Sequence, residues 1–232
     1  MNLVFTLCSS EAYWPKAMVA LDSIRLHHPE AEIEIRNEEK DFPRKRMEQV
    51  LDWLERGYQV IALGADCVLY DSLHSMTELL ADSATNIVLT PHVCYFPTNR
   101  VMALYETGSA NGDCIGFNPT PESIGAVKWI LKQPLAVSTG QFYEQTPLSM
   151  LPFVMGGVVV NRDESINIAW YNIHERRISF NWVGTPMITM FQFSGYDSAK
   201  LSTHWPNPTI TPELKRLMLD YEAAVAKHAR PS

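Results

Sequence analysis

The stretch that decides the fold is Tyr58-Gln59-Val60-Ile61-Ala62-Leu63-Gly64-Ala65-Asp66. From Val60 to Leu63 it is continuously apolar and partly β-branched, which is typical of a strand buried on both faces of a sheet. Gly64 ends the run, and a carboxylate follows two residues later. The sequence therefore predicts a buried strand that delivers Asp66 to the edge of a sheet.

The segments upstream of this strand alternate between strand and helix patterns. Leu3 to Leu7 is a short apolar run, after which apolar residues recur at three- and four-residue spacing as far as His28. Ala31 to Arg36 alternates in polarity, as a strand with one exposed face does, and a second helical stripe follows from Met47 to Leu54. This β-α-β-α-β order predicts a parallel sheet flanked by helices.

Two chain segments are expected at one binding edge of this sheet. Ligands of such sheets bind beyond the carboxyl ends of the strands. Thr6 to Ser9 and Gly64 to Asp66 both fall at such ends, although they are far apart in the sequence. We therefore expect the topology to bring them together around a small ligand.

Composition and charge narrow the class of protein. The chain has 232 residues, 46% of them apolar, enough for a packed core without metal or disulfides. The net charge of -7 argues against a broad basic surface for nucleic acid. The densest basic run, Arg44-Lys45-Arg46, is interpreted as the solvated first turn of a helix.

The cysteines and the apolar runs indicate a compartment. The four cysteines lack CxxC or zinc spacing and are expected to be reduced and mostly buried. The opening residues do not resemble a secretory signal, and no apolar run approaches the ~20 residues of a membrane span. A cytoplasmic protein is therefore expected.

The carboxylate of Asp66 suits a divalent cation that bridges a diphosphate, although an aspartate here can equally well cap a turn. Leu63-Gly64-Ala65-Asp66 resembles the Asp-x-Asp region of GT-A glycosyltransferases, in which a strand ends in Leu-Asp-Ala-Asp. Gly64 stands in place of the first acid. The resemblance implies a GT-A (Rossmann-like) α/β domain with a mostly parallel central sheet flanked by helices. It also implies that Ala65 and Asp66 lie beside a nucleotide sugar and its Mn²⁺ or Mg²⁺ ion.

The opening strand is similar to the first strand of the same family, where the strand end receives the nucleoside. This implies nucleotide-sugar contacts for Thr6, Leu7, Cys8 and Ser9. The charge on a leaving diphosphate must be stabilised by cations or helix N-termini, and the candidate cations are Arg44, Lys45, Arg176 and Arg177.

Two blocks in the middle of the chain resemble family segments beside the donor sugar. Gly108 to Phe117 is similar to the Asn-x-Gly-Phe segment, and Glu144 to Leu148 to the Asp-Gln-x-x-Leu segment near the anomeric centre. Sugar hydroxyls need acceptors and amide donors, which these blocks offer. The predicted site residues here are Asn111, Gly112, Asp113, Glu144 and Gln145. The alternative is an ordinary Asn-Gly turn and a surface Glu-Gln pair.

The most specific resemblance is a pair of later blocks, Asn167-Ile168-Ala169-Trp170-Tyr171-Asn172-Ile173-His174-Glu175-Arg176 and Gln192-Phe193-Ser194-Gly195. They resemble the Asn-x-Ala-x-Trp-Asn-x-x-Glu-Arg and His-Phe-Ser-Gly blocks of a glycogenin-like, bacterial group of small glycosyltransferases. The resemblance implies Gln192 as a metal ligand in place of histidine. It further implies donor contacts for Arg176, Ser194 and Gly195, and acceptor-side positions for Asn167, Asn172 and His174.

Together the blocks imply one domain over residues 1–232, with a nucleotide-binding half at 1–100, a donor-sugar and acceptor half at 101–210 and a terminal helix at 211–232. The implied reaction moves a sugar from a nucleoside diphosphate donor, uridine-based by resemblance, to a hydroxyl of a glycan, lipid, protein or modified base. Asp113 or Glu144 would act as general base in an inverting reaction, and Gln145 would face the anomeric carbon in a retaining one.

Two other functions stay open. Gly64 and Gln192 leave open a catalytically silent nucleotide- or glycan-binding module. A nucleotidyltransferase is a lesser alternative, disfavoured by the lack of a Gly-rich phosphate loop near the start.

Overall fold

The computed structural model describes residues 2–38, 40–95, 107–135, 137–138, 141–176, 178–181, 184–194 and 211–229. The strands in this part of the chain are β1 Leu3–Ser9, β2 Glu32–Asn37, β3 Gln59–Leu63, β4 Cys67–Leu69, β5 Ile87–Pro91, β6 Ala110–Phe117, β7 Val137–Ser138, β8 Gln141–Phe142, β9 Val158–Val160, β10 Ile168–Ala169 and β11 Met190–Gln192. The helices are α1 Trp14–His27, α2 Phe42–Glu55, α3 His74–Ala81, α4 Pro121–Leu131, α5 Gln145–Val154 and α6 Pro212–His228.

The central sheet has six strands in the order β2-β1-β3-β6-β5-β9. All neighbours pair in parallel except at β6, which runs antiparallel to both β3 and β5. Leu7 pairs with Leu63, so the carboxyl ends of β1 and β3 lie side by side. The predicted mostly parallel sheet and the shared edge for Thr6–Ser9 and Gly64–Asp66 are therefore confirmed.

The strands are buried because helices cover both faces of this sheet. Val60 and Ala62 of β3 pack on one side with apolar residues of α2, α4 and α5. Ile61 and Leu63 pack on the other side with residues of α1 and α3. This two-sided burial explains the unbroken apolar run from which β3 was predicted.

A second, three-stranded sheet in the order β10-β11-β4 lies beside the first. It packs in a cluster with α6, whose Leu214, Leu217 and Met218 are buried against Phe191 and Phe193. The side chain of Thr211 accepts a hydrogen bond from the backbone N–H of Leu214 at 3.2 Å and caps α6.

The alternative reading of an ordinary Asn-Gly turn and a surface Glu-Gln pair does not hold. Asn111 and Gly112 form no turn; they lie in the middle strand β6. Glu144 and Gln145 are buried at the start of α5 and are not a surface pair. None of the helices in the described part of the chain is long and apolar enough to cross a membrane.

Candidate active site

A cavity of about 490 Å³ opens at the edge where β1 and β3 end. The predicted site residues that line it are Ala65, Asp66, Asn111, Asp113, Glu144, Gln145, Gln192 and Ser194. They come from the end of β3, from β6, from the start of α5 and from β11. The fold thus gathers residues from both halves of the chain around one space.

Asp113 reaches the cavity from β6, next to the end of β3. The backbone N–H of Gly64 donates to the carbonyl of Asp113 at 3.0 Å, and a Cβ atom at position 64 would lie only 2.6 Å from Asp113 Oδ1. The Asp113 carboxylate therefore occupies the space that a side chain at position 64 would need. In the Asp-x-Asp region that this segment resembles, position 64 would carry an acid. Here the carboxylate beside Gly64 comes from the neighbouring strand instead.

Among the described residues that line the cavity, Arg46 is the one lysine or arginine. It belongs to α2, is only 2% exposed and lines the cavity. Its Nη1 donates to Asp113 Oδ1 at 3.1 Å and to Glu144 Oε1 at 3.4 Å. The interpretation of residues 44–46 as a solvated turn is wrong for Arg46, because these two carboxylates hold its guanidinium inside the protein.

Glu144 fits beside Gly112, as Asp113 fits beside Gly64. A Cβ atom at position 112 would lie 2.6 Å from Glu144 Oε1. Burial raises the pKa of Glu144, while the Arg46 guanidinium opposes that rise. Two glycines thus make room for two carboxylates that share one buried cation.

Asp66 lies in the same cavity without an ion pair among the described residues. Burial and the nearby negative charge of Asp113 raise the pKa of Asp66 to about 7. A cationic ligand beside Asp66 would therefore stabilise its charged form.

Gln192 is held by its neighbours through both atoms of its amide. Its Nε2 donates to Asp113 Oδ2, and its Oε1 accepts from the hydroxyl of Tyr171 at 2.9 Å and from Asn111 Nδ2 at 3.3 Å. This arrangement orients Asp113 and does not suit Gln192 as a metal ligand. Among the predicted metal ligands, Asp66 fits a hard cation and Gln192 does not; within the described residues no three His, Cys, Asp or Glu side chains cluster for one.

His92 is a cavity residue that sequence reasoning missed. Its ring Nδ1 lies 2.9 Å from the carbonyl oxygen of Gly108, and its ring packs edge-on against Tyr171 at 5.3 Å between centroids. Burial lowers the pKa of His92 to about 4, so the ring is neutral at neutral pH. No motif marks this histidine, and only the folded chain brings it to the cavity.

Several predicted residues lie behind the cavity wall. Thr6, Leu7, Cys8 and Ser9 are buried within β1, and it is Ser10 that reaches the cavity. Gly112 lies beneath Glu144. The Arg44 side chain turns away from the cavity and donates to the backbone oxygens of Leu131 and Gln133.

The predicted acceptor-side asparagines support the wall instead of lining it. Asn172 Nδ2 donates to the carbonyls of His92 at 2.9 Å and of Asn167 at 2.8 Å. Asn167 Nδ2 in turn donates to the carbonyl of Pro91 at 3.3 Å. Arg176 is buried beside Glu175. Gly195, Arg177 and the side chain of His174 lie outside the described residues.

The architecture, a mostly parallel six-stranded sheet with one antiparallel strand and helices on both faces, is the GT-A fold. Several solved structures that are similar to this chain are glycosyltransferases. A glycosyltransferase involved in the glycosylation of the major capsid of PBCV-1 matches with a TM-score of 0.57 and 12% identity over 85% of this chain and 97% of that one. Galactosyltransferase LgtC, solved with donor and acceptor sugar analogues, matches with a TM-score of 0.55 and 14% identity over 100% and 98% of the two chains.

A third similar structure is the apo form of the glycosyltransferase GlyE of Streptococcus pneumoniae TIGR4. It matches with a TM-score of 0.57 and 12% identity over 98% of this chain and 63% of that one. No model of a protein family matches the chain. No curated protein matches it by sequence.

Proposed function

We propose that the protein transfers a sugar from a nucleoside diphosphate donor, uridine-based by preference, to a hydroxyl of an acceptor. The observation that carries this proposal is the cavity at the carboxyl edge of a GT-A sheet, lined by Asp66, Asp113, Glu144 and Gln145. Its volume of about 490 Å³ is within the usual range for small-molecule sites. Carboxylates and an amide in such a space suit the hydroxyls of a sugar.

In this proposal the nucleoside lies at the end of β1, where Ser10 and Tyr13 line the cavity, and the sugar lies toward α5. The bond between the anomeric carbon and the diphosphate oxygen breaks. A bond from the acceptor oxygen to that carbon forms, the acceptor proton passes to a base, and the nucleoside diphosphate leaves.

Asp113 is the proposed base of an inverting reaction, with Glu144 as the second catalytic carboxylate. The side chain of Asp113 is 25% exposed and that of Glu144 only 6%, so a ligand hydroxyl reaches Asp113 more readily. In a retaining reaction Gln145 would face the anomeric carbon instead. The anomeric configuration of the product, read by NMR, separates the two mechanisms.

A divalent cation enters the proposal through Asp66. Mg²⁺ or Mn²⁺ is often held by one or two carboxylates together with substrate phosphates, and here Asp66 would supply the protein ligand. Such an ion would neutralise charge on the diphosphate. Arg46 cannot do this alone, because its charge is already shared by Asp113 and Glu144.

The test is isothermal titration of the purified protein with UDP-, GDP- and TDP-hexoses, with Mn²⁺ or with EDTA. The proposal expects saturable binding of one donor class, and turnover of that donor that falls at least ~100-fold in Asp113→Asn. Absence of binding by every donor under both conditions would sink the proposal.

A second candidate is a binding module that holds a nucleotide sugar or a glycan without turning it over. The observation that favours it is the network around Gln192, which uses both amide atoms inside the protein where the resembled family has a metal-binding histidine. Tight donor binding with no release of nucleoside diphosphate over days would favour this candidate.

A further inference from the structure

Strand β6 is irregular where it borders the cavity. The register between β5 and β6 shifts between Leu89 and Thr90, so residues 112–114 of β6 have no partner on β5. Bulges next to active sites commonly redirect a side chain, and Asp113, in the middle of this one, lines the cavity. Because the pairing with β5 is interrupted here, Asp113 depends on other hydrogen bonds for its position.

The side chain of Asn111 supplies the first of these bonds. Asn111 Oδ1 accepts from the backbone N–H of Asp113 at 2.5 Å. A backbone N–H can only donate, so it fixes which end of the Asn111 amide is the oxygen. The NH₂ group of Asn111 therefore points the other way, toward the hydroxyl of Tyr171 at 2.6 Å and toward Gln192 Oε1 at 3.3 Å.

The orientation of Asn111 in turn fixes that of Gln192. The NH₂ group of Asn111 needs an acceptor, so the oxygen of the Gln192 amide faces it, and the Tyr171 hydroxyl also donates to this oxygen at 2.9 Å. The NH₂ group of Gln192 then donates to Asp113 Oδ2. The hydrogen bonds thus form a ring that starts at the backbone N–H of Asp113 and returns to its carboxylate.

The Asp113 carboxylate is the accessible part of this ring. Asn111 and Gln192 are each 2% exposed, whereas the side chain of Asp113 is 25% exposed. Each amide atom of Asn111 and Gln192 already has a partner inside the protein. Arg46 Nη1 donates to the other carboxylate oxygen, Asp113 Oδ1, at 3.1 Å. The carboxylate is therefore held at both oxygens by groups that are themselves fixed.

We propose that Asn111 and Gln192 are positioning residues that aim the Asp113 carboxylate at the acceptor hydroxyl. This inference rests on the proposed function, in which Asp113 is the base. It gives Asn111 a role other than contact with the donor sugar, and it gives Gln192 a role at Asp113 in place of one at a metal ion. A misplacement of ~1 Å can cost about 100-fold in rate, so the ring should matter more for turnover than for binding.

Crystal structures of the ligand-free wild type and of Gln192→Met test the ring without any turnover. Methionine fills a similar volume but cannot donate to Asp113 Oδ2. The Asp113 carboxylate should turn away from its wild-type position, while the bond from its backbone N–H to Asn111 stays. An Asp113 carboxylate in the same position in both structures overturns the inference.

The kinetic test uses the nucleoside diphosphate hexose that the wild type binds, with water as the acceptor. In Gln192→Met the release of nucleoside diphosphate at saturating donor should slow at least ~10-fold, while the donor Kd changes less than ~3-fold with Mn²⁺ or with EDTA. In an Asp113→Asn background the same substitution should cost less than ~2-fold, because the group that Gln192 positions is already lost. A loss of donor affinity confined to Mn²⁺ would make Gln192 a metal ligand and overturn the inference.

Asn118→Ala is the matched control. Asn118 directly follows β6 and is buried, and its Nδ2 donates to the carbonyls of Leu80 at 2.9 Å and Thr85 at 2.6 Å. The substitution should lower stability, as Gln192→Met does, but leave the release rate within ~3-fold of the wild type. Equal rate losses in the two variants would mean a merely structural effect of Gln192 and overturn the inference.

The outcomes separate this inference from the function on which it rests. Donor binding and release by the wild type support the proposed function whatever Gln192→Met does. If the wild type binds the donor and releases no nucleoside diphosphate, the inference falls and the binding module is favoured; if it binds no donor, both fall. If Gln192→Met does not fold, Tyr171→Phe decides, because it removes the hydroxyl that donates to Gln192 Oε1. It should slow release at least ~3-fold with the donor Kd unchanged, and a wild-type rate overturns the inference.

Discussion

The Arg46 guanidinium lies between the carboxylates of Asp113, on a strand, and of Glu144, at the start of a helix. Its Nη1 bonds both acids, at 3.1 and 3.4 Å. Removing one partner from a buried group of this kind leaves an uncompensated charge, which costs more than the intact pair gains. The positions of both acids in the cavity thus depend on Arg46.

Arg46→Met keeps much of the side-chain volume but removes the charge, so the two carboxylates lose their cationic partner. This substitution should destabilise the protein by about 3 kcal/mol at pH 7. Urea unfolding measures the loss. Arg44→Met is the matched control on the same helix, and it should cost about 1 kcal/mol or less because Arg44 is partly exposed and bonds backbone oxygens. Equal losses in the two variants would contradict the role assigned to Arg46. Adding Glu144→Gln to Arg46→Met should restore part of the stability.

His92 should make stability depend on pH below neutrality. Its pKa falls from 6.5 to about 4 on folding, so the neutral ring stabilises the fold above pH 6.5, and this contribution is lost as pH falls through 6.5 toward 4. Between pH 7.5 and pH 5 the loss amounts to about 2 kcal/mol. His92→Phe should lose correspondingly less over this interval in urea unfolding. A His92→Phe slope equal to that of the wild type would contradict the burial of a neutral ring.

At the level of elements, the pairing of β3 with β6 sets the shape of the cavity. Leu63 pairs with Cys114, which places the Asp113 side chain where a side chain at position 64 would lie. A parallel strand ends at this edge, and an antiparallel one begins there. Two strands that run in opposite directions therefore supply neighbouring acids to one rim.

Gly64→Ala should cost about 1–3 kcal/mol, since the new methyl group must displace the Asp113 carboxylate. The cost should fall to within ~0.5 kcal/mol of zero in an Asp113→Ala background, where that space is free. Unfolding of the two single variants and the double variant gives this coupling directly. Gly125→Ala is the control: it lies in α4 with nothing within 4 Å of its Cβ position, and alanine there should stabilise by about 0.5–1 kcal/mol. Additive losses would show that position 64 and Asp113 do not compete for space.

The sequence predicted the elements whose patterns are strong and local. β1, α1, β2, α2 and β3 follow from apolar periodicity, and their order is enough to give the parallel part of the sheet. β6 was missed because Asn111-Gly112-Asp113 carries turn-forming residues, which here serve the cavity inside a strand. Contacts with β3 and β5 override that local preference.

The candidate site was predicted in part for a related reason. Asp66 was predicted as a carboxylate at a strand end in a segment that resembles the Asp-x-Asp region. Asp113, Glu144 and Gln145 were predicted because their blocks resemble family segments beside the donor sugar and offer acids and an amide. All four line the cavity. Arg46 and His92 were missed because a basic run and a lone histidine are ordinary surface features in a sequence. Their roles arise only when distant elements bring carboxylates and a backbone carbonyl beside them.

On the scale of the whole molecule, the small sheet forms the back of the cavity through Gln192 of β11, and α6 packs against that sheet. Phe193, just after β11, stacks on Tyr221 of α6 with ring centroids 3.7 Å apart. The backbone N–H of Phe193 donates to the carbonyl of Asp66 at 2.9 Å. The helix α6 is therefore linked through β11 to the segment that follows β3. Loss of the packing between α6 and the small sheet should loosen the residues at the cavity.

Leu217 and Leu219 of α6 test this link, because Leu217 is fully buried in the cluster around Phe191 whereas Leu219 is 54% exposed. Leu217→Ala should destabilise by about 2–5 kcal/mol, and Leu219→Ala by no more than ~0.5 kcal/mol. Native-state hydrogen exchange should report the coupling: in Leu217→Ala the amides of β11 and of Phe193 should exchange faster, since the helix no longer holds that strand against β4. In Leu219→Ala they should exchange as in the wild type. If Leu217→Ala accelerates exchange only within α6, the helix is a separate unit and the back of the cavity does not depend on it.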